Sequence, residues 1–250
     1  MEQKALVVLS GGQDSTTCLF LAKLRFAEVH AITFDYNQRH KRELMASIDV
    51  ARMAGVASHK IVTLGPVLMG ASPLVSANSL EQYADMHSLP GGIEKTFVPM
   101  RNQLFLTIAA NYACHLRASY IYTGVSEEDY GGYPDCRAPF VNKLAEATNL
   151  SLDGTGHNIQ FVCPLISLTK AETVSLARKL PGCWEALAHT HTSYDGAYPP
   201  TGHDHATLLR AKGFLEANEP DPLVLRACRE GLMELPATPN YDAARCAWGR

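Results

Sequence analysis

Ala5-Leu6-Val7-Val8-Leu9 runs straight into Ser10-Gly11-Gly12-Gln13-Asp14-Ser15, and the way these two segments meet decides the fold. An unbroken apolar run closed by a glycine pair has the pattern of a parallel strand buried on both faces and followed by a tight turn. Ser15 to Arg25 then carries Leu19, Leu21, Ala22 and Leu24 with no Pro or Gly, which predicts a helix, and Val29 to Phe34 predicts a second strand. Lys41 to Ala54 predicts a helix stopped by Gly55, and Lys60 to Leu64 a third strand. Such alternation builds a doubly wound parallel sheet with helices on both faces, which binds ligands beyond the carboxyl ends of its strands.

Residues 65 to 100 interrupt the alternation with Gly65-Pro66, Gly70, Ser72-Pro73 and Pro90-Gly91-Gly92, the punctuation of a functional insertion or lid. It resumes with a helix over Asn102 to Leu116, a strand over Ser119 to Gly124 and a helix over Phe140 to Leu150. Lys170 to Leu180 is a further helix, with Thr169 as its cap and Glu172 at the capping-box position. After Pro181 the chain changes character: His, Tyr, Gly and Pro cluster from 189 to 205, ahead of a short helix to Ala217. Residues 1–180 are therefore expected to form the main α/β domain, and 181–250 a small helical and loop extension.

The 250 residues, 46% apolar and 19% charged, suit a globular chain with one large core, and no stretch has the ~20 apolar residues of a membrane span. Met1-Glu2-Gln3-Lys4 leads directly into the first strand without a signal-like segment, so a cytoplasmic protein is expected. Seven scattered cysteines with no Cys-x-x-Cys pair argue against a disulfide framework and against a thiolate zinc site. A net charge of -3 gives no general attraction to nucleic acid, and no direct contact with one is expected. The single basic run, Arg39-His40-Lys41-Arg42, reads equally as a solvated helix start or as a phosphate contact. Glu127-Glu128-Asp129 reads as a solvated acidic turn.

The loop itself carries chemistry. Glycines let successive backbone N–H groups approach an anion, Ser10 and Ser15 add hydroxyls, and the helix N-terminus adds its dipole, so the segment is built to hold phosphate. No Lys follows in the Walker position, and the glycines are not spaced as in a dinucleotide fold. Asp14 is out of place beside an anion unless it serves a metal ion such as Mg²⁺.

Several separated blocks together resemble the pyrophosphatase-loop ATP enzymes and, within them, the 7-cyano-7-deazaguanine synthase family. Val8 to Leu19 matches that family in full, and Thr33-Phe34-Asp35-Tyr36-Asn37-Gln38-Arg39-His40 matches with Asn37 where Gly is usual. Thr96-Phe97-Val98-Pro99-Met100-Arg101-Asn102 matches with Met100 in place of Gly. Thr123-Gly124-Val125, Gly132 to Arg137, Pro164-Leu165 and Thr169 to Thr173 complete the pattern. The resemblance spans roughly residues 5–217 and implies an adenine nucleotide alpha hydrolase-like fold.

It also implies a reaction in which 7-carboxy-7-deazaguanine, ammonia and ATP give the nitrile 7-cyano-7-deazaguanine, a queuosine precursor. ATP converts the carboxylate to an acyl adenylate, ammonia displaces AMP to form an amide, and a second activation of the amide oxygen permits loss to the nitrile. With no glutaminase segment in the sequence, free ammonia or a separate donor is expected, and the resemblance suggests a homodimer. Leu9, Ser10, Gly11, Gly12, Gln13, Asp14, Ser15, Thr16, Thr17 and Phe34 are assigned by it to ATP, with Asp14 serving Mg²⁺ and Lys170 a second phosphate cation. Arg101 and Asn102, with Tyr133, Asp135 and Arg137, are assigned to the substrate: Arg101 neutralises a carboxylate or phosphate, Asp135 accepts from the guanine-like edge and Tyr133 stacks. Asp14, Arg101, Lys170 and Asp135 are the expected catalytic set.

One departure stands out. The family carries four zinc-binding cysteines where this chain has Ser193, Thr201, Asp204 and Thr207, so residues 181–250 replace the family's zinc-binding segment. Two arrangements stay open, a substituted metal site drawn from His189, His191, His203, Asp204 and His205, or a loop held by hydrogen bonds and packing alone. These departures also leave open a relative that stops at the amide or attaches the acid to a partner amine. A non-catalytic nucleotide-binding module is the third reading.

Overall fold

The computed structural model describes residues 3–76, 78–88, 92–127 and 132–249. Five strands, β1 (Lys4–Val8), β2 (Glu28–Asp35), β3 (Ser58–Thr63), β4 (Tyr120–Tyr122) and β5 (Gln160–Val162), form one sheet in the order β3-β2-β1-β4-β5. Every pairing is parallel; Val8 lies opposite Ile32, and Val7 opposite Tyr122. The order runs outward from β1 in both directions, so the crevice between β1 and β4 is the topological switch point, where such sheets bind ligands.

The helices are α1 (Gln13–Arg25), α2 (Arg42–Ala54), α3 (Arg101–Leu116), α4 (Ala138–Ser151), α5 (Lys170–Lys179), α6 (Cys183–Leu187), α7 (His205–Glu216), α8 (Pro222–Arg229) and α9 (Asp242–Trp248). Because successive strand residues point to opposite faces, β1 feeds two cores. Ala5, Val7 and Leu9 pack with Leu19 of α1, Val50 of α2, Val174 of α5, Leu187 of α6 and Phe214 of α7. Leu6 packs on the other face with Ile121, Leu106 and Ala113 of α3, and Phe140 and Leu144 of α4. Fully burying each of the leucines contributes roughly 1.5–3 kcal/mol. Residues beyond 180 thus share the first core through Cys183, Leu187 and Phe214.

The expected strands and helices occur within a few residues of their sequence bounds, and Gly55 ends α2 at φ +59°. Thr169 and Glu172 form the reciprocal capping box at the start of α5. Missing from the sequence reading are β5, too short to display a period, and the short helices α6, α8 and α9. Part of the 65–100 insertion, including Pro90 and Gly91, lies outside the described residues, as do Glu128 and Asp129 of the acidic turn. Glu127 accepts the Ala138 N–H at 2.8 Å and so caps α4.

Candidate functional site

A cavity of about 300 Å³ opens at the carboxyl ends of the strands, beside the β1–α1 loop. The loop is internally braced. Ser15 Oγ accepts from the Ser10 N–H at 3.1 Å, lies 3.0 Å from Ser10 Oγ and donates to Gly12 O. Gly12 is the N-cap of α1 and offers no side-chain acceptor, which leaves the first N–H groups of this helix available to an anion. Thr16 Oγ1 and Gln13 Nε2 are buried with no hydrogen-bond partner among the described residues. Thr17 is spent on its own helix, donating to Gln13 O at 2.9 Å.

Lys170, at the first turn of α5, reaches Asp14 with Nζ 2.7 Å from Oδ2, while Asp14 Oδ1 is buried and unpartnered. Two glycines permit this approach. A Cβ on Gly213 of α7 would lie 2.7 Å from Lys170 Cβ, and one on Gly124 would lie 2.9 Å from the Ser15 nitrogen. A carboxylate with one free oxygen beside a lysine and an uncapped helix start fits a Mg²⁺–phosphate pair.

The far wall comes from α3 and the segments around it. Arg101 begins α3 behind Met100, which holds φ +65° without a glycine; Asn37 likewise holds φ +63°. These are the two positions where glycine was expected, and the left-handed backbone is kept at both. Burial works against the Arg101 charge, but the phenols of Tyr36, Tyr133 and Tyr194 outweigh it and raise its pKa. Tyr133 shares a 2.6 Å hydrogen bond with Thr96 and sits against Phe97. Phe34 stacks on Phe105 at 4.3 Å, and both line the cavity.

The structure therefore gathers Leu9, Ser10, Gly12, Gln13, Asp14, Ser15, Phe34, Arg101, Asn102, Tyr133 and Lys170 around one space. Asp135 and Arg137 are not among the lining residues. Asp135 accepts the Asn102 N–H at 3.2 Å, supplying the acceptor that Met100 lacks as N-cap of α3, and exposed Arg137 turns to Gly132 O. The basic run divides, with Arg39 and His40 lining the cavity and Lys41 and Arg42 exposed. Glu43, unremarked in the sequence because an acidic residue in a helix's first turn is ordinary, also lines the cavity. Burial pushes its carboxyl up to about 7 against the opposing pull of Arg101.

The four positions of the expected zinc-binding segment are tied together through Asp204 and the neighbouring Asp195. Ser193 Oγ lies 2.6 Å from Asp195 Oδ1 and 2.8 Å from Asp204 Oδ2, and Asp204 also accepts from the N–H groups of Tyr194 and Thr207. Thr201 reaches Asp195. The histidines do not converge: His191 Nε2 bonds Ser193 O, exposed His203 offers its carbonyl to Tyr83, and His205 faces the cavity. Among the described residues no three His, Cys, Asp or Glu side chains could hold a metal ion. These residues do not fit the zinc that the resemblance implies. Asp204 instead caps α7, and Asp204→Ala is expected to cost about 2 kcal/mol, read as a lower urea midpoint at unchanged slope. A cost below about 0.5 kcal/mol would show that its bonds are replaceable.

The segment also clamps the loop, since the His191 N–H donates to Gly11 O at 2.9 Å. No helix among the described residues is long and apolar enough to cross a membrane. Comparison with known proteins matches residues 4–218 to the family model of queuosine biosynthesis protein QueC. A 7-cyano-7-deazaguanine synthase from Gloeobacter violaceus is 50% identical over 223 residues, 88% of this chain and 95% of that protein. A namesake from Chromobacterium violaceum is 46% identical over 233 residues, 92% of this chain and 96% of that one. Among solved structures, an NH3-dependent NAD synthetase from Campylobacter jejuni is a distant likeness, with TM-score 0.42 and 18% identity over 72% of this chain and 65% of that one.

Proposed function

The chain belongs to the family of queuosine biosynthesis protein QueC, and from that premise we infer that it is an ATP-consuming carbon–nitrogen ligase making 7-cyano-7-deazaguanine from 7-carboxy-7-deazaguanine and ammonia. The observation that carries the reading is one cavity joining the phosphate loop and Lys170 to Arg101, Asn102 and Tyr133. A carboxylate is a poor electrophile, and its activation needs pyrophosphate held as it leaves. The uncapped start of α1, with Ser10 and Ser15, binds the β- and γ-phosphates, and Lys170 adds a cation. Asp14 would hold Mg²⁺, which neutralises phosphate charge when bound. Arg101 meets the substrate carboxylate with its planar fork, and Tyr133 lies along the purine. In this reading residues 1–180 carry the reacting groups and 181–250 brace them. A homodimer is carried over from the resemblance, while cytoplasmic location, free ammonia or a separate donor, and no direct nucleic-acid contact are expectations of the sequence.

Purified protein incubated with ATP, Mg²⁺, ammonium and 7-carboxy-7-deazaguanine is expected to yield the nitrile, AMP and pyrophosphate, measured by mass spectrometry. Amide alone, an acylated protein or no turnover would sink the reading. Lys170→Ala should lower kcat about 10²-fold, the scale for losing one preorganised charge-stabilising donor.

A further inference from the structure

We propose that Glu43 is a catalytic residue of this synthase, the proton acceptor in the step that turns the activated amide into the nitrile. The proposal rests on the synthase reading above. In that step the imidate formed on activating the amide oxygen, R–C(=NH)–O–AMP, must lose AMP and one proton. The N–H bond breaks, its electron pair becomes the third carbon–nitrogen bond, the C–O pair leaves with AMP, and the proton passes to a base. Only two carboxylates line the cavity among the described residues, Asp14 and Glu43. Lys170 pairs with Asp14, whereas the Glu43 carboxyl has no hydrogen-bond partner among the described residues. The backbone of Glu43 packs against Gly11, so its side chain starts beside the phosphate loop and borders the cavity that must hold the adenylated imidate. Arg101 of α3 faces it, as does Tyr36 of the β2–α2 loop.

The imidazoles lining the same cavity are poorer bases. Desolvation lowers the pKa of His40 and His205, and desolvation followed by its cationic neighbours holds His191 to about 4. Burial acts oppositely on a carboxyl and brings Glu43 to about 7, where it is both ionised often enough and basic enough to take a proton at neutral pH. The test is Glu43→Gln assayed with ATP, Mg²⁺, ammonium and either the carboxylic acid or the amide as substrate. Nitrile formation should fall about 10²-fold while amide accumulates from the acid. With the amide as substrate, where ammonia takes no part, the parent's nitrile rate should rise with pH through about 7, and that limb should vanish in the variant. Glu43→Asp, a second variant against misfolding of the first, should keep the limb and part of the rate. An unchanged nitrile rate in Glu43→Gln, or a raised KM for acid and amide at unchanged kcat, would overturn the proposal. Failure of the parent itself to make nitrile would overturn the synthase reading instead.

Discussion

Gly11→Ala is expected to abolish ATP-dependent turnover and to destabilise the fold by about 3 kcal/mol or more. Gly11 sits at φ +87°, where a side chain strains the backbone, and its missing Cβ makes room for the start of α2. A methyl there would lie 2.7 Å from the Ser47 nitrogen and closer still to the Glu43 carbonyl oxygen. Both are backbone atoms of a helix packed on the first core through Val50 and Ala51, so neither can swing aside. The loop or α2 must shift, and with it the Gly11 O to His191 N–H bond that ties the C-terminal segment down. Gly12→Ala is the control for stability, since its Cβ would meet only Ser10 Oγ at 3.4 Å and His191 O at 3.6 Å. Denaturant midpoints of both variants against the parent decide the matter; equal stability would refute the packing argument.

The segment around Gly11 was legible because three signals coincide there: an apolar run, a glycine pair and a helix pattern with no breaker. The capping box at Thr169 was legible for the same kind of local reason. What escaped depends on distance or brevity. Three residues of β5 cannot display a period, although Asp221-Pro222 was a usable start signal for α8, and Asp221 does cap it by accepting from the Leu223 N–H. Lys170 and Asp14 meet from 156 positions apart, which no local pattern reports. Nothing in the sequence shows that Met100, with no side-chain acceptor, begins α3 and draws the distant Asp135 carboxylate to its N-terminus. Met100 and Asn37 read as departures from glycine, yet the backbone keeps the conformation glycine favours. Asn tolerates it through its short polar side chain, whereas Met carries strain of about 1 kcal/mol.

Asp221→Ala is expected to cost about 3–5 kcal/mol and to lower Tm by roughly 10 °C. Arg210 of α7 is 4% exposed and all five of its N–H donors find acceptors. Nε and Nη2 grip Asp221 at 2.6 and 2.8 Å, Nη1 bonds Thr190 and Thr192, and Nη2 also reaches Leu187 O. Removing the carboxylate strands a buried cation and uncaps α8 in one change, while the Arg210 charge has no other salt bridge among the described residues. The consequence reaches the site, because Thr190 and Thr192 flank His191, whose N–H holds Gly11. A looser clamp should raise KM for ATP more than it lowers kcat, since the Gly11 bond holds the loop that binds the phosphates. Asp221→Asn separates the contributions. It can still cap α8 through its amide oxygen but leaves the guanidinium uncompensated, so most of the loss should persist if charge dominates. Thermal melts and ATP titrations of both variants test this. An Asn variant as stable as the parent would mean that hydrogen-bond geometry alone, rather than ion pairing, holds the C-terminal segment against the phosphate loop.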